Sequence, residues 1–165
     1  MGAIYSCIGR KEDIVLMVAD IVRLSSQMTR DHAKASDSLW TQIEQSLRYH
    51  LYASTLLQPW YFFLYFETRS LPVDQQQAST RIELDAIDSF QGQIEAGIES
   101  GQFTANNPRA IANSIVVLLE DWYLKPWKTQ LQSRELQTNQ QREEFIDAYY
   151  LDLITMTKSL LGITE

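Results

Sequence analysis

The chain has 165 residues, 45% hydrophobic and 21% charged, enough for one domain with a sizeable core and unlike a disordered or fibrous chain. A balance of 21 Asp and Glu against 14 Lys and Arg gives a net charge of -7, which opposes broad attachment to nucleic-acid phosphates or anionic lipid. The single cysteine, Cys7, allows neither an internal disulfide nor a thiolate zinc site. With no run of 18 apolar residues and no apolar leader, the expectation is a cytoplasmic protein that engages no membrane.

Only 6 Gly and 4 Pro punctuate the sequence, and its apolar residues recur at three- and four-residue steps, so the predicted fold is all-α in one domain. No solenoid period is visible, and the short Gln-rich patches read as local surface features. A first helix is predicted over residues 11–29, with Ile14, Met17, Val18, Ile21 and Val22 as its stripe and Glu12 and Asp13 in its first turn. A second opens near Ser36 or Asp37 and carries Leu39, Ile43, Leu47, Leu51 and Leu57 up to Pro59, which breaks or restarts it. Residues 60–67 form a short, almost wholly apolar helix. The next spans 73–100, with Leu84, Ile87, Phe90, Ile94 and Ile98 on one face and Gly101 where a C-terminal cap is wanted. Asn107 and Pro108 start a helix through about residue 122, apolar on every side over 115–119. Residues 125–141 are predicted as a long polar loop. The last helix covers 142–161, with Phe145, Tyr149, Leu153, Met156 and Leu160 on one side and Gly162 closing it.

The chemistry-bearing motifs are few. There is no Glu-x-x-His pair, no His-Glu-x-x-His and no phosphate-cradling glycine loop, so no catalytic residue, metal or cofactor is expected. The run Trp60, Tyr61, Phe62, Phe63, Tyr65 and Phe66 is denser than one helix face can bury; neighbouring helices cover the other half, or it lines a ligand cavity. Trp60, Phe63 and Phe66, together with Trp40, Leu47, His50, Phe90, Trp122 and Tyr123, are the candidate lining residues. His50 reads as an interior or boundary histidine, or as the polar handle of such a cavity, and His32 as exposed. Glu120 and Asp121 beside Trp122 read as a solvated helix end, or as carboxylates that recognise a cation next to aromatics.

Three stretches carry a resemblance. GAIYSCIGRKEDI, residues 2–14, resembles the end of the DNA-recognition helix and the entry to the following helix in TetR-family transcriptional regulators, through Gly2, Ile4, Tyr5, Gly9, Lys11, Glu12, Asp13 and Ile14. GIESGQFTANNPRAIANSI, residues 97–115, looks like the family's turn with a Gly-x-Phe before an Asn-Pro helix start, and EEFIDAYYLDLITMTKSLLG, residues 143–162, is similar to its final helix.

The resemblance implies a TetR-like C-terminal effector-binding and dimerisation bundle over residues 11–165. Residues 1–10 are then the remnant of a recognition helix and its following turn. On this reading Met1 falls inside that helix, and the rest of a helix-turn-helix, on the order of 40 residues, is lacking. DNA binding is therefore expected only of an intact parent, in which Tyr5 and Lys11 contact phosphates. The implied partners are a small hydrophobic or aromatic effector and a second copy of the chain, paired through a two-fold four-helix contact with Val116, Leu119, Tyr150 and Ile154 on its surface. An unusually buried intramolecular helix is the other account of residues 115–119. A headless module that heterodimerises with an intact regulator is the alternative function.

Overall fold

The computed structural model describes residues 10–33, 38–125, 127–128 and 139–163. Among the described residues there are six α-helices and no strand: α1 (Lys11–Ala33), α2 (Leu39–Leu56), α3 (Gln58–Glu67), α4 (Val73–Glu99), α5 (Pro108–Leu124) and α6 (Asn139–Leu161), with a 3-10 turn at Thr68–Ser70 after α3. None of them is long and apolar enough to cross a membrane.

Local chemistry sets the helix ends. Ser38 caps α2 by accepting the Thr41 amide at 3.4 Å, and Asn107 caps α5 by accepting the Ala110 amide at 3.1 Å, with Pro108 in the first turn. Helix α2 stops before Pro59, and α3 restarts with that proline in its first turn; Leu57 alone lies between them. Gly101 and Gly162 end α4 and α6 at φ of 74° and 68°, left-handed values that glycine adopts without steric cost. Past Gly101 the chain folds back so that Phe103 donates its amide to the Gly97 carbonyl at 3.0 Å and lays its buried ring on that glycine, where a side chain has no room. The Thr104 amide then donates to the Leu161 carbonyl at 3.0 Å, tying the turn after α4 to the end of α6.

Helix α2 is the hub of the packing and touches the other five helices, while α4 packs on α1, α2 and α5. The core runs through Val15, Val18 and Val22 of α1, Ile43, Leu47 and Leu51 of α2, Ile87, Phe90 and Ile94 of α4, and Ile115, Leu119 and Trp122 of α5. Leu153 and Leu161 close it from α6.

Three sequence expectations shift. Helix α1 turns Val15, Val18, Ala19, Val22 and Ser26 inward, and Ile14, Met17 and Ile21 stay exposed. Both stripes on this helix are apolar, so periodicity alone does not select the one that α2 and α4 cover. The last helix opens at Asn139 rather than 142. The segment before it begins as a turn at Trp127 and Lys128, where the ammonium groups of Lys125 and Lys128 both reach Asp121, at 2.6 and 3.1 Å; residues 129–138 of the expected loop lie outside the described residues.

Candidate functional site

A cavity of about 80 Å³ lies between α1, α2, α3, α4 and α5. Val22 and Ser26 face it from α1, His50 from α2, and Tyr61, Leu64 and Tyr65 from α3. Ile82, Glu83 and Ala86 contribute from α4, and Val116, Glu120 and Tyr123 from α5. Space exists here because small side chains, Ser26, Ala86 and the valines, meet across the junction. Tyr65 and Glu83 are the exposed members of the lining, so the mouth lies on their side; Val22, Ser26, Leu64, Ala86, Val116 and Tyr123 are buried and form the floor.

The aromatic wall is ordered ring on ring. Tyr61 and Tyr123 stand 4.8 Å apart between centroids, tilted by 52°, and His50 presents an edge-on contact to Tyr61 at 6.2 Å. Gln58 at the start of α3 donates its side-chain amide to the Tyr123 carbonyl at 3.2 Å, which fixes α3 against the end of α5. Burial is the main cause that lifts the Glu120 carboxyl to about 7, with the nearby Glu83 charge adding to it and a hydrogen bond from Tyr123 opposing it. Burial likewise pushes the Tyr123 phenol up, and the Glu120 charge raises it further. The Ser26 hydroxyl is buried in the floor with no hydrogen-bond partner among the described residues, an arrangement that costs stability unless something in the cavity satisfies it.

Of the nine residues expected to line a pocket, the structure brings His50 and Tyr123 to the cavity. The other seven are elsewhere. Leu47 and Phe90 are core, and Phe63 is half-buried against that core. Trp60 and Phe66 are about half exposed at 49% and 51%. Trp40 lies under the Lys158 ammonium, 5.6 Å from the ring centroid. Trp122 is fully buried between Phe145 and Tyr149 and donates its indole N–H to Thr55 Oγ1 at 2.8 Å. Large rings fill space, whereas a cavity opens where side chains are small. Tyr61 and Tyr65 are the members of the aromatic run that do line it. Glu120 parts from Asp121, since Asp121 turns outward to Lys125 and Lys128. Glu83 and Ser26 carried no motif in the sequence to mark them.

The residues expected at the pairing surface divide between interior and half-buried positions. Val116 lines the cavity and Leu119 is fully buried, so neither reaches the outside of the chain. Tyr150 is half-buried, its hydroxyl donating to the Glu44 carbonyl at 3.4 Å, and Ile154 is half-buried against the core. Val117 and Leu151 are the large apolar side chains that α5 and α6 leave most open, at 51% and 62% exposure. Tyr5 and the expected recognition-helix remnant over residues 1–9 lie outside the described residues, and Lys11 is the first residue of α1.

No protein-family model matches the chain, and none of the curated proteins does. Among solved structures, the fold is that of a bacterial regulatory protein in the TetR family from Rhodococcus RHA1, with a TM-score of 0.80 and 16% sequence identity over 99% of this chain and 80% of that one.

Proposed function

We propose that residues 11–165 are the effector-binding and dimerisation part of a TetR-like, ligand-responsive transcriptional regulator, with no enzymatic activity of its own. The observation that carries this reading is the cavity, with its unpartnered Ser26 hydroxyl, inside a fold shared along 99% of the chain with a TetR-family regulatory protein. A pocket among helices with a few polar groups converging on it is the usual form of a small-molecule site. Helix α1 contributes Val22 and Ser26 to the cavity directly. A ligand that fits one setting of α1 better than another therefore biases whatever is joined to the start of that helix, by the difference in its affinity for the two settings. Residues 1–10, with Tyr5, and Lys11 at the head of α1 are on this reading the end of a DNA-contacting element. The net charge of -7 is consistent with a chain whose grip on DNA depends on a separate basic head.

The test is an electrophoretic shift assay that compares this chain with one extended through its upstream coding sequence. The extended chain is expected to bind a specific DNA site, and this chain is not. Tight sequence-specific binding by the short chain overturns the division of labour, and loss of specific binding by both overturns the regulator. Subunit exchange between the two forms, followed by sedimentation, examines the pairing: a stable mixed species that releases DNA favours the headless heterodimerising module instead.

A further inference from the structure

The charge of the cavity is one-sided. Glu83 and Glu120 face it from two different helices, no Lys or Arg lines it, and three tyrosines surround the carboxylates. Among the described ion pairs none neutralises either glutamate: Arg81 is held by Asp85 and Asp88, Arg109 by Asp88, and Lys125 and Lys128 by Asp121. The Ser26 hydroxyl in the floor, 6% exposed, adds an unused acceptor on the side opposite the mouth.

We propose that this cavity binds a compact organic cation, a protonated amine or small quaternary ammonium, with its charge between the Glu83 and Glu120 carboxylates and its carbon surface against Tyr61, Tyr65 and Tyr123. The proposal rests on the regulator reading only for its biological role; the site stands or falls on its own chemistry. A carboxylate pair attracts a cation most strongly where solvent is thin, tyrosine faces add attraction to the same charge, and an N–H donor satisfies the buried serine. A neutral ligand draws nothing from the carboxylate charge, and an anion adds a charge of the same sign.

Size narrows the class. An enclosed apolar cavity of about 150 Å³ takes the six-carbon ring of benzene, so about 80 Å³, on the order of half that space, suits the ammonium head and adjoining carbons of a compact cation, with the remaining carbons leaving past Tyr65. The protonation of Glu120 supplies an independent signature. A cation favours the ionised carboxylate, so its binding below pH 7 expels a proton. The groups that face Glu120 are Glu83 on α4, Tyr123 on its own helix, Tyr61 and Tyr65 on α3, His50 on α2 and Ser26 on α1. The Glu120→Gln variant isolates the contribution of Glu120 from those of the groups around it.

The experiment is an NMR titration of the full chain with isobutylammonium, isobutanol and tetramethylammonium, following the tyrosine and Ser26 resonances. Isobutylammonium is expected to bind at least tenfold more tightly than isobutanol, which has the same shape without the charge. Glu120→Gln is expected to weaken it at least tenfold, and Glu83→Gln, at the exposed mouth, by a smaller factor. Tetramethylammonium, whose charge is permanent, should bind about tenfold more tightly at pH 8 than at pH 5.5, and this dependence should largely vanish in Glu120→Gln. Equal binding of isobutanol, undiminished binding by both variants, or no perturbation by either cation overturns the proposal. If isobutanol binds as well and the upstream-extended chain still binds DNA, the cation site falls while the regulator stands. If the cations bind and the extended chain does not bind DNA, the reverse holds.

Discussion

Tyr61 and Tyr123 meet at 4.8 Å across the junction of α3 and α5, and Tyr123 lines the cavity with Glu120, one turn earlier on its own helix, whose pKa its phenol lowers against the effect of burial. One residue thereby couples the aromatic wall of the cavity to its acidic group. Glu120 keeps a proton in the folded chain up to about pH 7, against 4.5 for an ordinary glutamate. Between those values the folded state holds a proton that the unfolded state has released, so stability falls as pH rises from 4.5 to 7 and is level above. At about 1.4 kcal/mol per unit the bound is about 3 kcal/mol, and solvent at the half-open mouth reduces it toward about 1 to 2. Urea midpoints at pH 5 and pH 8 measure this, and Glu120→Gln should remove that part of the difference.

Trp122 holds the far side of α5. Its indole stacks on Phe145, lies tilted against Tyr149 and donates to Thr55, outside the cavity. Trp122→Phe is expected to cost about 2 kcal/mol through lost packing and the abandoned hydroxyl, and Trp122→Ala about 3 to 5 kcal/mol. Urea unfolding reads both. Cation affinity of the phenylalanine variant should change less than twofold, since no lining residue is altered.

The two left-handed glycines differ in what surrounds them. A methyl group at Gly101 meets open space, whereas one at Gly162 meets the Thr104 side chain. Gly101→Ala should cost about 1 kcal/mol, the backbone penalty alone. Gly162→Ala should cost about 2 to 3 kcal/mol, because Thr104 must also move. Thermal melts of the two variants rank them; equal losses would refute the Thr104 contact.

Self-association is expected to depend on Val117 and Leu151, not on the buried Val116 and Leu119. Leu151→Glu should leave the circular dichroism spectrum unchanged and weaken dimerisation at least tenfold in sedimentation. Leu119→Glu should abolish folding, because it places a carboxylate at a fully buried position.

The helices were legible because capping and periodicity act locally. Asn107-Pro108, Gly101 and Gly162 marked their ends correctly, and the predicted 73–100 helix matches α4 to its cap at Ser100. Facing was harder. On α1 two adjacent stripes are apolar, and only the partners decide between them. The cavity was harder still, because it is defined by what small side chains leave empty. His50, a polar group on an apolar stripe, and Tyr123, a lining candidate, stand at the cavity, but Ser26, Ala86 and Glu83 came together only through the crossing of α1, α3 and α4. Glu120 was visible as a carboxylate beside aromatics; that it turns inward while Asp121 turns out to two lysines is a matter of helix phase against α4.

The hydrogen bond from the Thr104 amide to the Leu161 carbonyl spans most of the C-terminal half of the chain. That amide belongs to no helix, so its deuterium exchange is slow only while α6 remains docked. A residue in a turn therefore serves as a built-in clock for the departure of the last helix, and a pairing partner that braces α6 would stop it without touching Thr104.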